Sequence, residues 1–355
     1  MCKQTCLRAY DCSRASWALN ALVQRTAQSI GLHRDGKNFN LSPFDSEMRR
    51  RLWGIIHSTD IRAAEDLGIS LANSEPSADT ALPSNLNDSD ISPSMASLPP
   101  AKEGFTGMTY TLVRIETAYA SQRAIQHIGS VSATAPSKDM RIQILKEHND
   151  RLTDLGRDCN ENIPEQRAAL NSMQLLIAKN QFLLELPQSI DWHSKGKDNP
   201  NVNDDTLLAA CKVLEHNLRL LSDEITRGYR WHIRTFFQYH ILTYLLWHLC
   251  VKPSTPHSER AFKIADSYFG SFHQDANPRS KWAVMLQMRA KALRLRDIGN
   301  VSNTNMVETS VEELPIGSAV DDLADLAFGN LPNWGGYTDF PDWGNIVDDL
   351  DMDEL

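Results

Sequence analysis

Apolar residues recur along most of this chain at the 3.6-residue period of a helix, and no stretch of useful length alternates at the two-residue period of a strand. Ala15, Ala18, Leu19, Leu22, Val23, Ala27 and Ile30 form the first stripe, with Ser13 placed to cap its start and Gly31 to stop it. A second helix opens at Ser42, where Pro43 suits the first helical position and Asp45 and Glu47 lie in the first turn, near the positive end of the helix dipole. Phe44, Met48, Leu52, Ile55, Ile56 and Thr59 are its expected inner face. Asp45–Arg49 and Glu47–Arg51 are acid-to-base pairs four residues apart on the other faces, and the helix is expected to run to Leu67 and stop at Gly68. Residues 69–104 break the pattern: Pro76, Pro83, Pro93, Pro99 and Pro100 among many Ser, Asn and Asp predict a long polar loop. Helical periodicity then returns over roughly 105–129, 138–157, 165–186, 205–228, 231–250, 257–272 and 280–298. Pro164, Pro187, Pro200, Pro253 and Pro256 punctuate these segments. The expected architecture is an all-α, multi-helical body over 1–298 followed by a different kind of segment at 299–355.

Charge marks that second division. Of the 45 Asp and Glu in the 355 residues, 14 lie from Asp297 onward, where there is no Lys or Arg. Residues 1–296 therefore carry 36 basic and 31 acidic residues, a balance of +5 within a chain whose net charge is −9. The acidic stretch also carries Leu323, Leu326, Phe328, Leu331, Trp334, Phe340, Trp343, Ile346 and Leu350. Mutual repulsion keeps such a segment extended and disordered alone. Its apolar residues can dock into a greasy groove with a basic rim, folding short helices such as 319–329 and 343–351 on contact. A merely solubilising tail rarely holds this many exposed aromatics.

Several chemistries are excluded by spacing. Six cysteines in a chain this long do not make a disulfide framework. Cys2, Cys6 and Cys12 are spaced by three and five residues and no second half follows, so no metal site is expected in this chain. The eight histidines from His57 to His248 are dispersed, as packed or surface residues are. His33-Arg34-Asp35 with Asn40, followed by Asp66-Leu67-Gly68, imitates the catalytic loop and metal triplet of a kinase. A kinase needs a glycine loop and a strand lysine well upstream; only 32 residues precede His33, and they read as a helix. No catalytic residue is therefore assigned. Arg49-Arg50-Arg51 could face phosphates, but its acidic neighbours favour a solvated structural role. No signal peptide is visible, and the most apolar stretch, Ile233–Val251, contains Arg234, Gln238, His240 and His248, so it reads as a buried core helix and no membrane contact is expected.

Four phrases in fixed order carry a resemblance. They are Gly31-Leu32-His33-Arg34-Asp35; a helix from Ser42 to Trp53 reading S-P-F-D-S-E-M-R-R-R-L-W; Asp60 to Gly68, with Glu65 and Gly68 at marked positions; and Asp79 to Pro93, with Pro83, Asn87 and Asp88. As a set they resemble the regulatory middle homology domain of fungal zinc binuclear cluster (six-cysteine) transcription factors, with Asp45 where Glu is usual and Ile91 where Leu is usual. Gly107-Met108-Thr109-Tyr110 and Trp282–Ala292 are similar to the family less specifically. The resemblance is strong over 15–115 and extends less clearly to about 298.

The resemblance implies an all-α domain that controls attached DNA-binding and activation segments and senses small molecules. It implies RNA polymerase II transcription regulation in the nucleus, over metabolic or secondary-metabolite genes. The acidic tail would engage transcriptional coactivators, and the chain would pair as a homo- or heterodimer with a family member. Family members carry their zinc-binding, DNA-binding segment and the first helices of this domain ahead of the matching region. The chain is thus expected to be incomplete at its N-terminus, with zinc and DNA contact only through a missing segment or a partner. Two readings stand beside it: a non-DNA-binding interaction protein acting through a full-length partner, and a kinase-like enzyme fragment. In physical terms, Leu52 is expected inside and Trp53 over a neighbouring helix, with Asp79, Asn85, Asn87, Asp88 and Asp90 capping helix starts.

Overall fold

A computed structural model describes residues 13–67, 78–125, 137–186, 202–234, 237–272 and 281–304. Ten α-helices are present among them: α1 Ser13–Ser29, α2 Pro43–Leu67, α3 Thr109–Ile125, α4 Lys138–Gly156, α5 Pro164–Glu185, α6 Asp204–Ser222, α7 Arg230–Ile233, α8 Tyr239–Val251, α9 Ser258–Ser271 and α10 Lys281–Thr304. Three short 3-10 turns, Gly36–Phe39, Asp88–Asp90 and Arg227–Tyr229, complete the regular structure, and no strand occurs among the described residues. The all-α expectation is met. The acidic segment at 305–355, Cys2, Cys6, Cys12, Gly68 and the Glu65 side chain lie outside the described residues.

The chain forms two compact units, one from 1–180 with 220–236 and the other from 181–219 with 237–355. In the first, α1 packs on α2, α2 on α3 and α3 on α4. Ser42 starts α2 as its sequence foretold: its hydroxyl accepts from the Asp45 N–H at 3.0 Å and donates to the Asp45 carboxylate at 2.7 Å. Ser137 does the same for α4 by accepting from Met140 N–H. Val113, Leu152, Leu155, Ala169 and Met173 form one core cluster, from α3, α4 and α5. Ala27, Leu32, Trp53 and Ile56 form another, under α1.

The inner face of α2 differs from expectation. Trp53 is 2% exposed, whereas Leu52 is 46% and Met48 43% exposed, so Trp53 fills the core and Leu52 does not. The reason lies in the first two turns, whose buried side is occupied by Ser46, Glu47 and Arg51. A helix whose inward stripe begins with charge cannot be oriented from its apolar residues alone.

The second unit is apolar and aromatic. In α8, Tyr239 and every residue from Ile241 to Leu249 are buried, so the expected core helix is there. Its N-terminal boundary is not where periodicity placed it. The expected helix 231–250 is two elements, a four-residue α7 and then α8. Likewise α6 stops at Ser222, because the Asp223 carboxylate accepts the Ile225 N–H and turns the chain there. The Phe237 ring packs against Tyr239, Tyr268, Phe272 and Trp282 with centroids 4.2 to 5.6 Å apart. Tyr268 hydroxyl donates to Asn217 Oδ1 at 2.6 Å and accepts from Gln238 N–H at 3.2 Å, so its buried oxygen is satisfied. No helix among the described residues is long and apolar enough to cross a membrane.

Candidate functional site

The four sequence phrases meet in space. The turn after α1 needs the left-handed backbone of Gly31, at φ +72°. Two residues beyond His33, Asp35 caps the first 3-10 turn by accepting Lys37 N–H. Gly36 follows because the Ser46 hydroxyl of α2 sits where a Cβ would be. This close approach lets α2 deliver its arginines to the turn.

Arg50 grips Asp35 with two hydrogen bonds, Nε to Oδ2 at 2.8 Å and Nη2 to Oδ1 at 3.0 Å. The Asp35 carboxylate is wholly buried and also accepts Ala81 N–H at 3.0 Å. The Arg50 hydrogen bond is the main reason its pKa falls far below the usual carboxylate range; burial opposes that shift. Asp79 returns the favour from the loop, accepting Asp35 N–H at 2.7 Å, Arg34 Nε at 2.9 Å and Asn38 Nδ2 at 2.8 Å. The Asp35 amide is the leading cause of its lowered pKa. The backbone of His33 accepts from Asp79 N–H, closing the junction.

One turn along α2, buried Glu47 accepts Arg51 Nε at 3.0 Å and Ser84 N–H at 3.1 Å. Arg51 also donates to Asp88 at 2.6 Å and to the Leu86 carbonyl at 3.2 Å. The expected Glu47–Arg51 pair is therefore present, but Arg51 is buried rather than solvated. Arg49 donates to the Gly31 carbonyl. Pro83 and Leu86 are buried beneath this network. Asn85 ties the loop to α3 with four bonds: it donates to Lys102 and Gly104 carbonyls and accepts the Thr106 and Thr109 hydroxyls. Asn87 accepts Gly107 N–H at 2.8 Å, so Gly107 to Thr109 belongs to the same junction. Asp60 accepts from Asn20 and joins α2 to α1. Most of these loop carboxylates and amides thus cross-link elements instead of capping the starts of α-helices.

The arrangement is a fastening. Both oxygens of Asp35, the residue in the place of a kinase base, are consumed by Arg50 and backbone amides. Among the described residues no group of three or more His, Cys, Asp or Glu could hold a metal ion. Cys159, Cys211 and Cys250 are free thiols, and burial pushes Cys211 and Cys250 each up to about 12. The tail residues Leu323, Leu326, Phe328, Trp334, Phe340, Trp343, Ile346 and Leu350 lie outside the described residues. Sequence reasoning missed Glu47 as a buried member of the network and Ser84 as its partner; a buried carboxylate beside two arginines had no apolar signature to find it by.

Residues 1–128 match the fungal specific transcription factor domain. The aurofusarin cluster transcription factor aurR2 of Gibberella zeae is 27% identical over 280 residues, 76% of this chain and 41% of that protein. The pyriculol/pyriculariol biosynthesis cluster transcription factor 1 of Pyricularia oryzae is 25% identical over 273 residues, 71% of this chain and 35% of its own length. The C6 finger domain transcription factor nscR of Aspergillus fumigatus is 26% identical over 357 residues, 92% of this chain and 45% of its own length. The chain thus spans less than half the length of these relatives. No solved structure matches it. Over residues 1–128, which hold this charged junction, the chain matches the fungal specific transcription factor domain, and over most of its length it is similar to these transcription factors.

Proposed function

We propose that this protein regulates transcription by RNA polymerase II in a fungal nucleus, over the genes of a secondary-metabolite cluster. The observation that carries this reading is the match of residues 1–128 to the fungal specific transcription factor domain. The relatives named for aurofusarin and pyriculol clusters supply the class of target. In this reading the first unit is a scaffold whose Asp35–Arg50 and Glu47–Arg51–Asp88 contacts keep its loop and helices in one arrangement. The acidic residues from 299 on form the activating segment, which grips coactivators through Trp334, Phe340, Trp343 and the leucines around them. Zinc and DNA are bound by a six-cysteine segment outside these 355 residues, in the same gene product or in a partner with which this chain forms a homo- or heterodimer.

The test is a reporter assay. The full chain fused to a heterologous DNA-binding domain is expected to raise transcription from the matching promoter, and removal of 299–355 to abolish that rise. A fusion of residues 299–355 alone that is expressed and nuclear yet silent overturns the activating role.

A further inference from the structure

α2 carries more apolar surface than the core uses. Trp53 and Ile56 are turned inward, and Leu41, Met48, Leu52 and Ile55, with the edge of Leu32, line a groove of about 580 Å³ whose lining also includes Asp45 and Arg49. Met48, Leu52 and Ile55 stand at i, i+4 and i+7, a row roughly 10 Å long at about 1.5 Å per residue. Arg51, which also reaches this groove, is spent on Glu47, Asp88 and the Leu86 carbonyl. Arg49, also in the lining, has no carboxylate partner among the described residues: its Nη2 donates to the Gly31 carbonyl and its guanidinium lies 5.6 Å from the Phe39 ring centroid, so its positive charge is not neutralised there. The groove therefore suits an occupant that is apolar along one side and anionic beside it.

The chain contains a segment of that chemistry. In D-W-G-N-I-V-D-D-L-D, residues 342–351, Trp343, Ile346, Val347 and Leu350 fall at i, i+3, i+4 and i+7, and Asp342, Asp348, Asp349 and Asp351 occupy other faces of the same helix. Its apolar row spans the same seven residues as Met48 to Ile55, and no Lys or Arg follows Arg296 to offset its charge. A second copy of the α2 face is a poorer match, because it brings a second Arg49 to an edge that already has one. We propose that this groove is the docking site of the acidic segment 342–351, which folds into a short helix upon it. The inference rests on reading 299–355 as a docking segment and adds the surface it docks on. A docked segment withholds Trp343 and Leu350 from any other protein, so the groove and a coactivator compete for the same side chains.

The probe is a fluorescein-labelled synthetic peptide of residues 339–355. The receptor is the full chain carrying Trp343→Ala and Leu350→Ala, which disables its own segment. Saturable binding is expected, weakened about tenfold when Leu52→Asp is added to the receptor and several-fold between about 0.05 and about 0.5 M salt. Leu52 is exposed, so the added change should leave the helical circular dichroism and the melting temperature intact. Absence of saturable binding, or equal binding with and without Leu52→Asp, overturns the proposal. So does dimerisation abolished by Leu52→Asp with no peptide bound, which makes a second copy the occupant. A reporter that stays inactive with residues 299–355 fused alone, alongside intact peptide binding, removes the activating role and leaves the groove standing; an active reporter with that fusion and no peptide binding does the reverse.

Discussion

In the first unit, the buried carboxylates of Asp35 and Glu47 each meet a guanidinium and a backbone N–H. In the second, His248 and Cys211 are buried as completely, and neither ring nitrogen of His248 finds a hydrogen bond. The nearest carboxylate, Asp204, stands 3.7 Å from its Nε2. The two regions solve one problem in opposite ways. Burying a charge is tolerable when an opposite charge and hydrogen bonds replace water. Without them the group becomes neutral: desolvation lowers the His248 pKa to about 4 and pushes Cys211 up to about 12. A charged junction fixes which residues meet, because each carboxylate has one matching donor set. An apolar pack fixes less, since many arrangements of rings bury similar area.

Three measurements bear on that contrast. Asp35→Ala leaves Arg50 and the Ala81 amide without their acceptor in a buried place, and roughly 3–5 kcal/mol of unfolding free energy should be lost. Urea unfolding of the full chain checks it, and a loss below about 1 kcal/mol would show that the junction is decorative. Next comes pH. Histidine in the unfolded chain titrates near 6.5, whereas folded His248 titrates at about 4. Between these values the unfolded state holds a proton that the folded state refuses, so stability falls as pH falls through the window. His248→Phe should therefore reduce the stability lost between about pH 7 and pH 5 by about 2 kcal/mol. Asp35 shows the other sign of shift. Its folded pKa is depressed, so its contribution is complete above the ordinary carboxylate value of 3.8 and is lost only at more acid pH. A two-step acid unfolding, with the histidine-dependent step first, follows from the pair; identical profiles for parent and His248→Phe would refute it. In a chain whose own segment is disabled by Trp343→Ala and Leu350→Ala, Leu52→Ser should change stability by less than about 0.5 kcal/mol, because its side chain adds little to the core. A loss above about 2 kcal/mol in that chain would mean that something other than 342–351 covers the outer face of α2.

Much of the helical layout was legible from local chemistry. Ser42, Pro43 and Asp45 announced the start of α2, and the periodicity around Leu145 and Leu152 announced α4. Two boundaries were not legible. One is the break before α8; the other, the stop of α6 at Ser222, goes with Asp223, whose carboxylate is engaged by Arg167 and Asn171 as well as by its own turn. Arg167 and Asn171 are more than 50 residues distant along the chain, so a window of local propensity does not contain them. The orientation of α2 failed for a related reason. Met48 and Leu52 are as apolar as Ile56, and nothing near them in the chain says that Glu47 will find Arg51 and the Ser84 amide waiting on the inner side.

Composition and period, then, were sufficient for helix identity, for most helix starts and for the division between a near-neutral body and an acidic, aromatic-bearing end, because caps, turns and charge repulsion act over a few residues. Which face of each helix turned inward, and which arginine met which carboxylate, came from the fold. Those outcomes are set by desolvation balanced against pairing, and Asp35 meets Arg50 and Ala81 only once loop and helices have closed around it.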